Sequence, residues 1–88
     1  MNPNMAHIFC DTTFCTFRER VLPDQVADKL WTKRIITERQ YQEINGLTSD
    51  IAKGEYLWGL MKQGRIYLEA VRTALRRTDQ TEIADLLQ

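Results

Sequence analysis

The sequence predicts an all-α domain, an antiparallel bundle of six short helices. Apolar residues recur at helical spacing in successive segments, and capping residues and glycines separate those segments. No stretch of any length shows the period-2 alternation of a half-buried strand. The connections come to roughly two to five residues, as is usual between neighbours in a bundle. We expect residues 1–7 to be a flexible N-terminus and residues 8–88 to form the domain.

The first helix is predicted within residues 8–22 and the second from Pro23 onward. Phe14, Phe17 and Val21 stand at i, i+3 and i+7, which is one face of a helix. The residues before Phe14 are poor helix formers, so this helix is either broken or begins late. Proline is favoured in the first turn of a helix, which suits Pro23. The predicted buried positions of the second helix are Val26, Leu30 and Ile35.

The third and fourth helices have capping signals at both ends. Thr37 and Gln40 match a capping box, and Gly46 is predicted to end the third helix in the left-handed conformation. Ser49 and its neighbours offer the next cap, and Gly64 ends the fourth helix. The predicted inward residues of the two helices are Tyr41, Ile44, Ile51, Tyr56, Leu57, Leu60 and Met61.

The fifth helix has the clearest amphipathic pattern, and a short sixth helix follows a second cap-like pair, Asp79 and Glu82. The predicted inward residues are Tyr67, Leu68, Val71, Ala74, Leu75, Ile83, Leu86 and Leu87. The predicted outward residues of the fifth helix are Glu69, Arg72, Thr73, Arg76 and Arg77.

Two pairs of residues leave alternatives open. Gly54 and Gly59 lie inside the fourth helix, where each costs about 1 kcal/mol relative to alanine. They either allow close helix approach or are merely tolerated. Trp31 and Trp58 are either core residues or interface anchors, and the small size of the domain favours the core.

Composition and charge exclude several classes of function. Twelve Lys and Arg residues balance twelve Asp and Glu residues, which argues against a dedicated nucleic-acid-binding protein. No apolar run is long enough to span a membrane, and no signal-peptide pattern follows Met1. The two cysteines do not make a disulfide framework, so we expect reduced thiols and a cytoplasmic protein.

No group of residues suggests an enzyme or a cofactor. His7, Cys10, Asp11 and Cys15 lie close in sequence but lack the paired spacing of a structural zinc site. The glycines do not form a phosphate-binding loop, and no nucleophile has an evident base. We therefore expect no catalytic residue, no metal and no cofactor.

Charged residues segregate along the chain. Acidic side chains on the second and third helices are Asp24, Asp28, Glu38 and Glu43, and basic side chains on or near the first and fourth are Arg18, Arg20, Lys53, Lys62 and Arg65. Opposite charges on two faces favour head-to-tail assembly. Chance separation is the alternative, since Lys29, Lys33, Arg34 and Arg39 dilute the acidic face. A basic strip of Arg72, Arg76 and Arg77 suggests either an anionic partner, such as nucleic acid, or a solvated helix end.

The succession of helices resembles a caspase-recruitment domain, or CARD, a branch of the death-fold superfamily. The resemblance spans residues 14–87 and is strongest in LWGLMKQGRIYLEAVRTALRRTDQTEIADLL. It includes the turn at Gly64, the pair Ala74 and Leu75, and the closing helix from Glu82. The segment VADKLWTKRIITERQYQEI resembles the second and third helices of the family. Asp79 stands where the family commonly has glycine.

The resemblance implies a six-helix bundle with Greek-key-like topology and a first helix that is often bent. It implies CARD–CARD binding without enzymatic activity, in which a basic face on the first and fourth helices meets an acidic face on the second and third. Carried over, the acidic face is Asp24, Asp28, Glu38 and Glu43, the basic face is Arg18, Arg20 and Lys53, and the turn contacts are Lys62, Gln63 and Arg65.

The implied partner is another CARD-containing protein, whether a caspase, a sensor or an adaptor, or a further copy of the chain in a filament. The implied role is recruitment or oligomerisation of signalling proteins in apoptosis or in innate immune and inflammasome signalling. One alternative is another death-fold module, namely a death, pyrin or death-effector domain. A second is a small helical nucleic-acid-binding domain that uses Arg72, Arg76 and Arg77.

Overall fold

The structure is a computed structural model that describes residues 9–87, which form six α-helices and no strand. The helices are α1 (Asp11–Arg20), α2 (Pro23–Thr32), α3 (Glu38–Gly46), α4 (Asp50–Lys62), α5 (Leu68–Arg77) and α6 (Thr81–Leu86). The predicted all-α class and the number of helices are confirmed. None of the helices in this part of the chain is long and apolar enough to cross a membrane.

The helices pack around one apolar core. The most extensive contact is between α1 and α4, and α6 also packs on α1. On the other side of the bundle α2 contacts α3, α4 and α5, while α3 reaches α4 and α5 packs on α6. The largest fully buried side chains are Phe17, Leu30, Ile44, Leu57, Leu75 and Leu87.

Helix starts follow the predicted caps at three places. Within the described residues α1 begins at Asp11, without a side-chain cap. Pro23 occupies the first turn of α2, and α3 has the complete capping box between Thr37 and Gln40. Ser49 caps α4 by accepting a hydrogen bond from the backbone N–H of Ala52 at 3.1 Å.

Gly46 ends α3 as predicted, but the predicted left-handed conformation is wrong. Gly64 is the only glycine with positive φ in the described part of the chain, whereas Gly46 is the last residue of α3. The chain leaves α3 in an extended conformation at Leu47, so no left-handed turn is needed. Left-handed residues occur instead at Arg34 (φ 59°) and Asp79 (φ 60°), after α2 and α5. Asp79 thus adopts the backbone conformation that glycine favours.

Three residues predicted to face inward are exposed instead. Tyr67 is 83% exposed because it is the N-cap of α5, where the chain is still extended and the helical stripe has not begun. Ile51 lies in the first turn of α4 and is 47% exposed. In α6, Ile83 and Ala84 take the inward positions, which turns Leu86 partly to solvent at 36%.

The alternatives at the glycines and tryptophans resolve differently for each residue. A Cβ atom at Gly54 would lie 3.2 Å from the Cα atom of Arg18 and 3.1 Å from the Cγ1 atom of Val21, so this glycine allows the close approach of α1. Gly59 has nothing within 4 Å of its Cβ position. Trp58 is a core residue at 6% exposure, whereas Trp31 is half-buried.

Candidate interaction surfaces

The four predicted acidic residues are exposed on two helices that pack against each other. Asp24 and Asp28 lie on α2, and Glu38 and Glu43 lie on α3. Glu43 accepts a hydrogen bond from the hydroxyl of Tyr56 on α4 and pairs with Arg39 at 3.3 Å. The bond from Tyr56, helped by Arg39, lowers the pKa of Glu43. The Glu43 carboxylate therefore stays ionised at neutral pH, and all four carboxylates are exposed.

An aromatic stack lies beside the acidic residues. The rings of Trp31 and Tyr41 stack with centroids 5.3 Å apart and an interplanar angle of 8°. The guanidinium of Arg34 lies over the ring of Trp31, 4.6 Å from its centroid, and makes a cation–π interaction. The hydroxyl of Tyr41 donates to the carboxylate of Asp28 at 2.5 Å, which raises the pKa of Tyr41. The α2–α3 surface thus combines charge with half-buried Trp31 and Tyr41 and with the exposed Arg34 after α2, and Trp, Tyr and Arg are the residue types of interface hot spots.

The predicted basic residues are mostly paired within the molecule. Arg18 on α1 contacts Glu55 on α4 at 3.2 Å, and its Nε atom is buried without a hydrogen-bond partner among residues 9–87. Lys53 donates to Asp24 at 2.8 Å, a bond that raises the pKa of Lys53. Only 15% of the Lys53 side chain is exposed. Arg20 makes no ion pair with any described residue. The structure therefore joins one predicted basic residue directly to one predicted acidic residue.

The predicted turn contacts surround the end of α4. Lys62, Gln63 and Arg65 are exposed, and Gly64 (φ 72°) makes the turn between α4 and α5. The nearby Tyr67 is the most exposed large apolar side chain of the described chain and was missed as a surface residue. Tyr67 directly precedes the first helical residue of α5, and this position at the helix start could have indicated that its side chain lies on the surface.

The predicted basic strip on α5 is partly neutralised by one carboxylate, Glu69. Arg72 does not face outward: it donates to the backbone carbonyl of Leu87 at 2.6 Å and pairs with Glu69, and only 21% of its side chain is exposed. Arg76 also reaches Glu69, at 4.0 Å. Arg77 alone of the three makes no ion pair with a described residue. One carboxylate against three guanidinium groups leaves the strip with a net positive charge, and Arg76 and Arg77 are its exposed part.

The two cysteines do not form a cluster with other potential metal ligands among the described residues. Cys10 and Cys15 are free and exposed, and the described residues contain no group of three or more His, Cys, Asp or Glu arranged to hold a metal. A hydrogen bond with Thr13 lowers the pKa of the Cys10 thiol. His7, which the sequence placed near these cysteines, lies outside the described residues.

One surface feature was not predicted at all, an apolar groove between α2 and α5. Its cavity volume is about 270 Å³. Sequence analysis missed it because a groove depends on how two distant helices are spaced, which periodicity does not give. The α2–α5 groove is lined mainly by Leu30, Ile35, Ala70 and Ala74 on its floor and by Lys29, Lys33 and Arg77 on its rim.

Comparison of the chain with family models, with curated proteins and with solved structures gives no match.

Proposed function

We propose that this chain is a protein–protein interaction module of the CARD type, with the Greek-key-like topology of the death fold. In this proposal it binds another CARD, or further copies of itself, and so recruits or oligomerises signalling proteins in cell death or innate immunity. The observation that carries the proposal is the pairing of helices: α1 lies on α4 and α2 lies on α3. The residues predicted for the basic face therefore lie on two helices that contact each other, and so do the residues predicted for the acidic face.

The α2–α3 surface is the more available half of such an interface. Its four carboxylates are exposed, and the stack of Trp31 on Tyr41 beside them supplies an apolar contact area. Exposed ion pairs are worth only about 0–1 kcal/mol each, so the aromatic rings have to contribute to binding. A partner with a cationic face fits this surface.

The basic half requires an exchange of ion pairs. Arg18 and Lys53 contact Glu55 and Asp24 of their own chain, so binding a partner's carboxylate replaces one ion pair by another. Such an exchange gains little free energy in water and is screened by salt. Assembly through these faces should therefore be weak per contact, cooperative when repeated, and sensitive to ionic strength.

The test is charge reversal on the acidic face. Asp28→Lys and Glu43→Lys should abolish assembly seen by light scattering and negative-stain electron microscopy at low salt. Asp85→Lys makes the same charge change on α6 and serves as the control, and circular dichroism checks that the helices remain. Assembly that is as extensive in both reversal variants as in the wild type contradicts the proposed acidic face. A wild-type chain that stays monomeric from low to high salt contradicts self-assembly and leaves only a heterotypic partner.

A further inference from the structure

Two surfaces of this chain are complementary to each other, and neither is centred on the faces of the proposed function, although the second shares Asp24, Arg20 and Lys53 with them. One is the α2–α5 groove, and the other surrounds Leu22 in the turn between α1 and α2. Both combine an apolar centre with a charged border, and the two borders have opposite signs.

The groove has an unfilled apolar floor and a cationic rim. Leu30 and Ala74 are buried beneath it, and Ile35 and Ala70 are half-buried at its sides. The three rim cations, Lys29, Lys33 and Arg77, make no ion pair with any residue from 9 to 87.

The one carboxylate on the rim of the groove is already engaged. Glu69 pairs with both Arg72 and Arg76, and the bond from Arg72 lowers the pKa of Glu69. The rim therefore presents net positive charge around apolar space, and it favours an apolar side chain accompanied by carboxylates.

Leu22 is an exposed leucine held in a fixed position. Its side chain is 46% exposed although it lies between two helices. Its backbone N–H donates to the side-chain oxygen of Gln80 at 2.7 Å, and Gln80 is only 6% exposed. The amide nitrogen of Gln80 in turn donates to the hydroxyl of Thr78 at 2.8 Å. The bond to Gln80 fixes the backbone at Leu22, so docking costs little backbone conformational entropy there and only the side chain has to be ordered.

The surroundings of Leu22 are acidic. Two shallow depressions meet at Leu22, and four carboxylates line them against one arginine, Arg20. Lys53 adds a second cation through its ion pair with Asp24. The excess of carboxylates over cations gives this end of the bundle a negative charge. We call this surface the Leu22 knob, and its carboxylates are Asp24, Asp50, Asp79 and Glu82.

We propose that the Leu22 knob of one copy of this chain docks into the α2–α5 groove of the next. The volume of about 270 Å³ lies just below the roughly 300–1,000 Å³ of pockets that bury drug-sized ligands, so it suits a projecting side chain. The knob carboxylates then meet the rim cations Lys29, Lys33 and Arg77, which have no carboxylate partner among the described residues of their own chain.

The geometry makes this a head-to-tail contact. Leu22 directly precedes α2, whereas Lys33 and Ile35 follow its last residues, so the apolar centres of the two surfaces lie toward opposite ends of that helix. Their charged borders adjoin where Asp79 shares a depression with Lys29 and Arg77. A contact between different patches does not close on itself in a dimer; it continues as a ring or a filament. It uses none of Asp28, Glu38 or Glu43, so its test can fail separately from that of the proposed function.

The experiment uses two disabled forms of the chain. The groove form carries Ala70→Phe and Lys33→Glu, which fill the floor and reverse one rim charge. The knob form carries Leu22→Ser. Sedimentation velocity should show each form alone self-associating at least about tenfold more weakly than the wild type, because burial of the leucine is lost. An equimolar mixture should give a 1:1 dimer, since one intact knob and one intact groove remain.

Controls separate this contact from other modes of assembly. Leu86→Ser removes another exposed leucine, 36% exposed on α6, and should leave association unchanged. Asp28→Lys should also leave the knob–groove dimer intact even if it abolishes assembly through the acidic face. A monomeric wild type up to millimolar concentration overturns the proposal. A Leu22→Ser form that associates like the wild type also overturns it, because the groove would then serve a different partner.

Discussion

The contact between α1 and α4 and the contact between α2 and α5 are built in opposite ways. Between α1 and α4 the space is filled. The indole ring of Trp58 meets the rings of Phe9, Phe14 and Phe17 with centroids 5.2–5.4 Å apart, and Gly54 brings the α1 backbone close. Close packing of this kind maximises dispersion contacts and area removed from water.

Between α2 and α5 the space is left partly open. Small side chains at Ala70 and Ala74 line the contact, but here the backbones do not close the gap, and a groove of about 270 Å³ remains. Small residues thus have two different consequences in one molecule. At Gly54 the absence of a side chain is compensated by the neighbouring backbone, whereas at Ala70 it leaves apolar surface exposed to solvent.

The largest predicted effect is at the filled contact. Trp58→Ala should lower the free energy of unfolding by about 3–5 kcal/mol, because it removes the ring on which three phenylalanines converge. A chain of this size has only about 4–13 kcal/mol of stability in total. Urea unfolding followed by circular dichroism measures the change.

The matched control for this prediction is Trp31→Ala. Trp31 is half-buried at the surface of α2, so its loss should cost less than half as much. Equal costs for the two substitutions would contradict the view that the core is concentrated at the α1–α4 contact.

The second prediction compares two glycines of the same helix. Gly59→Ala should stabilise the protein by about 1 kcal/mol, since alanine favours helix and nothing lies within 4 Å of the new Cβ. Gly54→Ala has the same gain in helix propensity, but its Cβ would press on the backbone of Arg18 at 3.2 Å. Overpacking of this kind costs about 1–3 kcal/mol, so the net change should be destabilising. Thermal unfolding of both variants decides, and stabilisation by both would show that α1 can move away without cost.

Much of the α1–α4 contact could be predicted from the sequence, because local patterns determine it. The spacing of Phe14 and Phe17 predicts the buried face of α1, and the cap at Ser49 predicts where α4 begins. Errors occurred at helix ends, as at Tyr67 and Ile51. The apolar pattern was extended too far in both cases. At Tyr67 the helix has not yet begun, and at Ile51 no neighbouring helix covers the first turn.

The α2–α5 groove and the internal ion pairs could not be predicted in this way. The pair between Lys53 and Asp24 joins residues 29 positions apart, and its existence depends on how α2 and α4 are placed against each other. Buried Gln80 is a similar case, because its partner Leu22 is 58 positions away. Charge patterns along a sequence identify candidate faces, but they do not tell which charges are already neutralised in three dimensions.

The third prediction concerns a substitution that fills the groove between α2 and α5. Ala70→Leu adds three carbon atoms over the floor of the α2–α5 groove, where they replace solvent next to Leu30 and Ile35. At about 0.8 kcal/mol per fully buried CH₂, partial burial should raise the free energy of unfolding by about 1 kcal/mol. Thr73→Leu, at an exposed position on the same groove, should gain less. A destabilised Ala70→Leu protein would show that this contact is as closely packed as the one between α1 and α4.

The smallest predicted effect concerns the hydrogen bond between Tyr56 on α4 and Glu43 on α3, which lies outside both apolar contacts. The hydrogen bond from Tyr56, aided by Arg39, lowers the pKa of Glu43 below its ordinary value of 4.5. A carboxyl whose pKa is lowered on folding stabilises the protein above its unfolded pKa, and this stabilisation is lost as the pH falls through the folded pKa. Glu43→Gln should therefore lower the urea midpoint at pH 7, and the difference from the wild type should narrow below about pH 4.5. Glu19→Gln, a carboxyl on α1 without an ion pair among residues 9–87, is the control for the loss of one negative charge at pH 7. A difference that stays constant between pH 7 and pH 3.5 would mean that the bond from Tyr56 is too exposed to stabilise the ionised carboxylate.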